Sequence, residues 1–343
     1  LQHYFMSWFN AEREKSLLTF PVVTAAMLTK DGQVRDTQFG HFCAEQISQG
    51  NAFFVYQSEN ADSLASCCRL RNEISDNTFS YTLGAGGVST GSINVITLNM
   101  NRLVQDGRDL LTEVEKIHKY QVAYREIMQD YMRHNMLPVY DAGFIQLDKQ
   151  FLTLGINGMV EAAEFMGIDI NDNDEYRDFV DSNLRIIFDA NKRAKAAYGY
   201  QFNTEFVPAE NLGVKNAKWD KKAGYVVNRA CYNSYFYVVE DQDLNHIDKF
   251  MLHGKAYNRY LDGGSALHLN LEETLSAKNA FSLLNIAAKT GCSYFCINVK
   301  ITLCNQCQCI DKRTLTQCPK CQSKDVDHGT RVIGYLKRIS AFS

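Results

Sequence analysis

The spacing of apolar positions sorts the chain into short strand-like runs and longer amphipathic helices. Residues 1–15 carry apolar side chains at helical spacing, and 17–24 read as a buried strand with Pro21 at an end or edge. Strand-type runs recur at 51–56, 93–100, 151–156, 201–207, 233–239, 265–269 and 293–299. Apolar residues three and four apart predict helices over 104–133, 159–166, 174–198, 244–253 and 272–289, with Pro138 closing the first of these. Pro208 opens one more, because proline suits the first turn of a helix. Strands that alternate with helices along most of a chain point to a parallel α/β sheet or barrel rather than an antiparallel sandwich. The stretch 62–92 breaks the pattern. It is polar, holds the adjacent Cys67 and Cys68, and runs into the glycine-rich 83–92, so two neighbouring cysteines sit in a long loop where core packing explains them poorly.

Composition narrows the setting. With 343 residues, 45% of them hydrophobic, the chain has material for one large α/β core and a small appendage. A formal net charge of -3 without a long basic run gives no reason to expect duplex DNA or an anionic membrane as partner. No apolar run reaches the roughly 18 residues of a spanning helix, and no signal peptide opens the chain, so a cytoplasmic location is expected. Eleven cysteines, odd in number and unevenly spread, do not resemble a secreted disulfide framework; in a reducing compartment they are metal ligands or chemistry. The first residue is Leu1, not Met, and the expectation is a fragment or one half of a split gene.

Two features near the C-terminus carry chemistry. Cys304-Asn305-Gln306-Cys307 and Cys318-Pro319-Lys320-Cys321 are C-x2-C pairs ten residues apart, and four soft ligands with no open position describe a structural zinc site. Cys309 is a spare that would substitute in the pairing; two redox dithiols are the competing reading, without the strand-to-helix setting such motifs want. Just beyond stands Arg331-Val332-Ile333-Gly334-Tyr335. A glycine between a branched and an aromatic residue reads as a turn. It is also where a backbone Cα radical would rest, since such a radical delocalises into both flanking amides only if the residue flattens, and a missing Cβ removes the clash. Elsewhere, Ala209, Glu210 and Asn211 would offer free N–H groups to an anion at the helix opened by Pro208, and 84–92 would form an anion nest or merely lend flexibility. Cys43, Cys231, Cys292 and Cys296 are most simply core residues. His41, His246, His253 and His268 show no ligand spacing.

A cysteine loop, a zinc ribbon and Arg-Val-x-Gly-Tyr in that order make the chain resemble the anaerobic, class III ribonucleotide reductases, which are glycyl-radical enzymes. Cys67 to Arg71, Thr90-Gly91-Ser92 through Asn99-Met100, Thr19-Phe20-Pro21, Gly158 to Glu161, Pro208-Ala209-Glu210 and Tyr232-Asn233-Ser234 carry the likeness. The resemblance implies the second half of a ten-stranded α/β barrel over 1–299, with a finger loop at about 62–92, a zinc ribbon at 300–325 and a glycyl radical loop at 326–343. It further implies that a separate iron–sulfur activase using S-adenosylmethionine takes hydrogen from Gly334, which then takes hydrogen from Cys68, with Cys67 the fallback. The thiyl removes a ribose 3′-hydrogen, the 2′-hydroxyl leaves as water, and formate or a thiol supplies electrons. Cys67 and Cys68 as small buried hydrophobes are the plainer alternative. Ala209, Glu210 and Asn211 become candidate phosphate donors, and Asn94 either orients formate or a ribose hydroxyl or simply faces solvent. The implied partners are a ribonucleotide, expected as the triphosphate, the activase, an N-terminal half and a second copy. Other glycyl-radical enzymes, of the pyruvate formate-lyase or diol dehydratase type, share the radical motif but lack a zinc ribbon before it. A non-catalytic C-terminal half that needs its N-terminal partner is the remaining alternative.

Overall fold

A computed structural model describes residues 2–13, 15, 23–59, 63–65, 71–73, 91–207, 211–238, 244–271, 273–333 and 335–338. The chain forms two units, one of residues 1–60 with 267–343 and one of residues 61–266. The first unit begins with α1 (Gln2–Arg13), β1 (Thr24–Lys30), β2 (Gln33–Val34), α2 (Thr37–Ser48) and β3 (Phe54–Ser58). The strand expected over 17–24 shares only Thr24 with β1, and 16–22 lie outside the described residues. Its core positions, Ala25 and Met27, are poor strand formers by propensity, which hides the alternation from a sequence reading. Helix α2 was not expected either. Asp36 caps it by accepting from the Phe39 N–H, and Phe39, Cys43, Ala44 and Ile47 form its buried face.

The second unit holds the short antiparallel pair β4 (Ser63–Ala65) and β5 (Arg71–Glu73), then β6 (Gly91–Asn99), α3 (Met100–Gln105), α4 (Leu110–Arg133), α5 (Pro138–Asp141) and β7 (Gln150–Asn157). It continues through α6 (Met159–Phe165), α7 (Asp174–Tyr198), β8 (Gln201–Phe206), α8 (Leu212–Lys222), α9 (His246–Leu252) and α10 (Lys255–Asn258). Strands β6, β7 and β8 make a parallel sheet in sequence order, with Val95 beside Thr153 and Thr153 beside Asn203. Asp109 and Asn173 cap α4 and α7 by accepting from the N–H of Thr112 and Tyr176, and Gly199 in a left-handed conformation ends α7. Both helices pack on one face of the sheet, over Leu152 and Phe202. Asn191 of α7 ties that face together: its amide donates to Thr204 Oγ1 at 2.8 Å, and its Oδ1 meets His118 Nε2 of α4 at 2.8 Å. Burial pulls the His118 pKa down, so the imidazole packs neutral.

The strand expected over 233–239 is not one. Residues 232–238 are irregular, and their apolar run reflects Tyr232, Tyr235, Phe236 and Tyr237 buried one by one rather than a ladder. Tyr176 of α7 instead donates to the Phe236 carbonyl at 2.9 Å. The helix expected from Pro208 begins at Leu212 with Asn211 as its N-cap, and 208–210 lie outside the described residues.

The chain then returns to the first unit with β9 (Leu267–Leu271), α11 (Ala277–Thr290), β10 (Tyr294–Val299), β11 (Ile301–Cys304), β12 (Ile310–Asp311), β13 (Val326–Ile333) and β14 (Tyr335–Arg338). A five-stranded sheet runs β2-β1-β3-β10-β9. It is mixed, not parallel throughout: β1 with β3 and β10 with β9 are parallel, whereas β10 and β3 are antiparallel. A second sheet, β12-β11-β13-β14, is wholly antiparallel. The architecture is thus mixed α/β, with a parallel portion smaller than the alternation of elements implies. No helix among the described residues is long and apolar enough to cross a membrane.

Candidate functional site

The two C-x2-C pairs meet. Cys304 ends β11, Cys307 lies in the turn that follows, and Cys318 and Cys321 flank a second turn, so that all four sulfurs lie within 4.8 Å of one another. Cys304 and Cys321 are 3.5 Å apart, as are Cys307 and Cys318. A tetrahedral ion with zinc–sulfur bonds of about 2.3 Å would set sulfurs roughly 3.8 Å apart, so the set fits zinc. In each turn the second cysteine's backbone N–H points at the first cysteine's sulfur, Cys307 to Cys304 at 3.4 Å and Cys321 to Cys318 at 3.5 Å. The Cys321 N–H, with help from that of Lys320, draws the Cys318 thiol down to about 6. Such donors stabilise thiolate, the form that binds metal. Cys309 is outside the set; its sulfur lies 3.9 Å from the Ile310 carbonyl, and burial and the neighbouring thiols push its pKa up.

Strand β13 pairs along β11, Cys304 opposite Val326 and Ile301 opposite Gly329, and then pairs with β14, Ile333 opposite Tyr335. The strands on either side of position 334 are therefore bonded to the strand that carries a metal-ligand candidate. Arg338 adds a hydrogen bond to Asn305 Oδ1 at 2.6 Å and an ion pair to Asp327 at 3.6 Å. Gly334 itself, like Cys67, Cys68, Ala209 and Glu210, lies outside the described residues.

In the second unit, three of the sequence landmarks converge. Asn157 at the end of β7 donates to the carbonyls of Tyr232 and Asn233 and to Ser234 Oγ, and accepts from Asn216 of α8 at 2.9 Å. Gly158, at φ +77, donates its N–H to the Asn233 carbonyl; a side chain here would strain the backbone. Glu161 Oε1 accepts from the Asn233 N–H at 3.0 Å, the Asn233 amide at 2.7 Å and Arg229 at 3.0 Å, while Arg229 also pairs with Glu164. Glu161 Oε2 is buried without a partner among the described residues, and burial raises the Glu161 pKa despite the Asn233 and Arg229 donors. Beside it, Asp220 is fully buried and accepts from Asn99 (2.8 Å), Arg102 Nε (2.7 Å) and Tyr232 Oη (2.8 Å). The landmarks at 99–100, 158–161 and 232–234 thus belong to one polar network at the carboxyl ends of β6 and β7. Sequence reasoning missed Asp220, Arg229, Asn216 and Asn157. Only Asn157-Gly158, a turn-forming pair closing a strand, carried a local signal.

Of the candidate substrate residues, Asn211 is exposed and caps α8 with no side-chain hydrogen bond to it. Asn94 follows a bulge in β6 and pairs with Leu152, on the face that packs against the helices, where its Oδ1 is buried without a partner. Cys43, Cys292 and Cys296 are buried as expected, but Cys231 is exposed.

A family model described as anaerobic ribonucleoside-triphosphate reductase matches residues 2–343. No curated protein matches the chain. Among solved structures, an anaerobic ribonucleotide reductase aligns over 100% of this chain and 56% of its own length, at 29% identity and a TM-score of 0.86. The anaerobic ribonucleotide reductase of Thermotoga maritima in complex with dATP and CTP aligns over 99% of this chain and 57% of its own, at 29% identity and 0.85. The same enzyme with glycerol in the active site aligns at 29% identity and 0.86, over 99% and 57%. The chain thus spans just over half the length of these relatives.

Proposed function

The chain belongs to the anaerobic ribonucleoside-triphosphate reductase family, and from that membership we propose that it reduces ribonucleotides to 2′-deoxyribonucleotides by glycyl and thiyl radical chemistry. The observation that carries the reading is the pairing of β11 with β13, which joins the four-cysteine cluster to the strands flanking position 334. Cys304, Cys307, Cys318 and Cys321 would hold a structural zinc ion, supplying a rigid anchor and no chemistry. Gly334 stores the radical after a separate iron–sulfur, S-adenosylmethionine activase has removed its hydrogen. Cys68, or failing it Cys67, gives hydrogen to Gly334 and takes the ribose 3′-hydrogen; the 2′-hydroxyl leaves as water, formate or a thiol supplies the two electrons, and the cysteine then returns the 3′-hydrogen. Backbone N–H groups at Ala209, Glu210 and Asn211 are the proposed phosphate donors, favoured by the dipole of the helix that follows.

The five-stranded sheet and the parallel sheet β6-β7-β8 are read as portions of a ten-stranded barrel, with a finger loop at about 62–92 and the radical loop at 326–343. A polypeptide corresponding to the relatives' remaining length is the proposed partner. Supporting that, α4 presents Tyr120, Tyr124, Ile127 and Tyr131 at helical spacing, and Met136, Val139 and Phe144 follow it, all exposed; an apolar helix face of this kind is ordinarily covered. A cytoplasmic, homodimeric enzyme completes the proposal. Radical enzymes of the pyruvate formate-lyase or diol dehydratase type are not favoured, because the matching family model is the reductase's.

The test is an anaerobic electron paramagnetic resonance spectrum after treatment with activase, S-adenosylmethionine and a reductant, with Gly334→Ala as control. A doublet lost in the control is expected. Its absence from zinc-loaded, folded protein complemented with the remaining segment would leave Gly334 a turn and refute the radical role.

A further inference from the structure

The parallel sheet of the second unit carries a vacant polar row on the face turned away from its helices. Thr204 of β8 accepts from Asn191 of α7, so Thr204 lies on the helix side, and the alternation of a strand puts its neighbour Asn203 on the other. Residues in register on parallel strands share a face, and Thr153 is the register partner of Asn203, with Val95 next in the same row. Asn203 is 2% exposed, yet among the described residues neither its Oδ1 nor its Nδ2 has a hydrogen-bond partner. Thr153 is fully buried, and its Oγ1 has none either. Three vacant polar atoms side by side are unusual, because a buried donor or acceptor left unpaired costs about 1–3 kcal/mol. At the β6 end of the row Val95 is 42% exposed, while Asn203 at the β8 end lies beside Gly263.

We propose that Asn203 and Thr153 form a hydrogen-bonding subsite that takes the planar edge of a nucleotide base. This rests on the ribonucleotide reading above. The choice of group follows from the chemistry of the vacancies. A carboxamide presents one acceptor and one donor in a single plane, the complement of the adjoining donor and acceptor on a base edge, whereas sugar hydroxyls have no such planar pair. Because an amide flips about its last bond, Asn203 serves an edge of either polarity, and the Thr153 hydroxyl both donates and accepts.

Equilibrium binding to the chain complemented with the polypeptide corresponding to the relatives' remaining length, with cytidine 5′-triphosphate and base-free ribose 5-triphosphate as probes, tests the assignment. Asn203→Leu and Thr153→Val keep shape and remove only unpaired polar atoms, so both variants should fold, which circular dichroism checks. The expected result is cytidine triphosphate binding weakened about tenfold by Asn203→Leu and a few-fold by Thr153→Val, with ribose triphosphate binding unchanged. Wild-type binding that neither variant alters would overturn the subsite and leave the ribonucleotide reading intact, the row then holding water. Equal weakening of both probes would overturn the assignment to the base. A complemented wild-type protein that binds neither probe would overturn the ribonucleotide reading and the subsite with it.

Discussion

Replacing Asp220 with alanine should destabilise the second unit by about 3–4 kcal/mol. The carboxylate is fully buried and accepts from Asn99, Arg102 and Tyr232, so the substitution strands three donors at once. A hydrogen bond to a charged group contributes about 1.5–3 kcal/mol, but the three losses are unequal. The Arg102 side chain is 36% exposed and recovers water, which removes much of its share. Tyr232 Oη still accepts from Asn101 at 2.6 Å, and Asn99 still caps α3, so those side chains stay in place and only their donor groups are orphaned. The sum falls within the roughly 3–5 kcal/mol typical of breaking one side of a buried ion pair. Urea unfolding followed by far-ultraviolet circular dichroism reads the effect. At a slope of about 3 kcal/mol/M, the midpoint should fall by roughly 1 M, and Asp220→Asn, which keeps one acceptor, should fall in between. A loss below about 1 kcal/mol at unchanged slope would refute the view that Asp220 holds these elements together.

Zinc analysis should find one ion per chain, lost in Cys318→Ser and retained in Cys309→Ser; retention in the first or loss in the second would redraw the ligand set. The Glu161 carboxyl, raised by burial, holds its proton to higher pH in the fold than in the unfolded chain. Its contribution to stability is therefore full below the ordinary glutamate range and is lost as pH rises through the folded value. Urea midpoints measured against pH should fall more steeply with rising pH in the wild type than in Glu161→Gln, and parallel curves would show that the shift is absent.

Where a single element dictates its own pattern, the sequence was readable. The 24 residues of α4 and 25 of α7 repeat their apolar face often enough to be unmistakable, and β7 and β8 are buried runs bounded by turns. The cysteine spacing likewise foretold four converging sulfurs, because each C-x2-C is a local turn. Features set by distant partners were hidden. β1 draws its order from pairing with β3, not from propensity, and 232–238 look like a strand only because four aromatic residues there are buried under other elements. The network failed for the same reason. Asp220 stands among lysines on α8, and nothing in that stretch shows that its carboxylate meets Asn99, more than a hundred positions earlier.

The antiparallel sheet that carries the cysteines shows what a metal there would supply. β11 and β14 have four residues each and β12 only two, too few to bury an apolar face of their own. Cys304 and Cys318 are buried, while Cys307 is half-buried and Cys321 exposed, so the sulfurs sit where hydrophobic packing runs out. An ion joining both turns would close the 304–321 segment on itself and hold Cys304 opposite Val326, from which the β11–β13 register extends to Gly329. β13 continues to Ile333 and pairs it with Tyr335. The register on both sides of position 334 thus descends from the ends of β11, and what holds Cys304 also sets where the Ile333 and Tyr335 backbones lie. On that account the cysteines matter to residue 334 through strand register alone: removing the ion should blur the order of β13 and β14 while leaving the parallel sheet of the second unit intact.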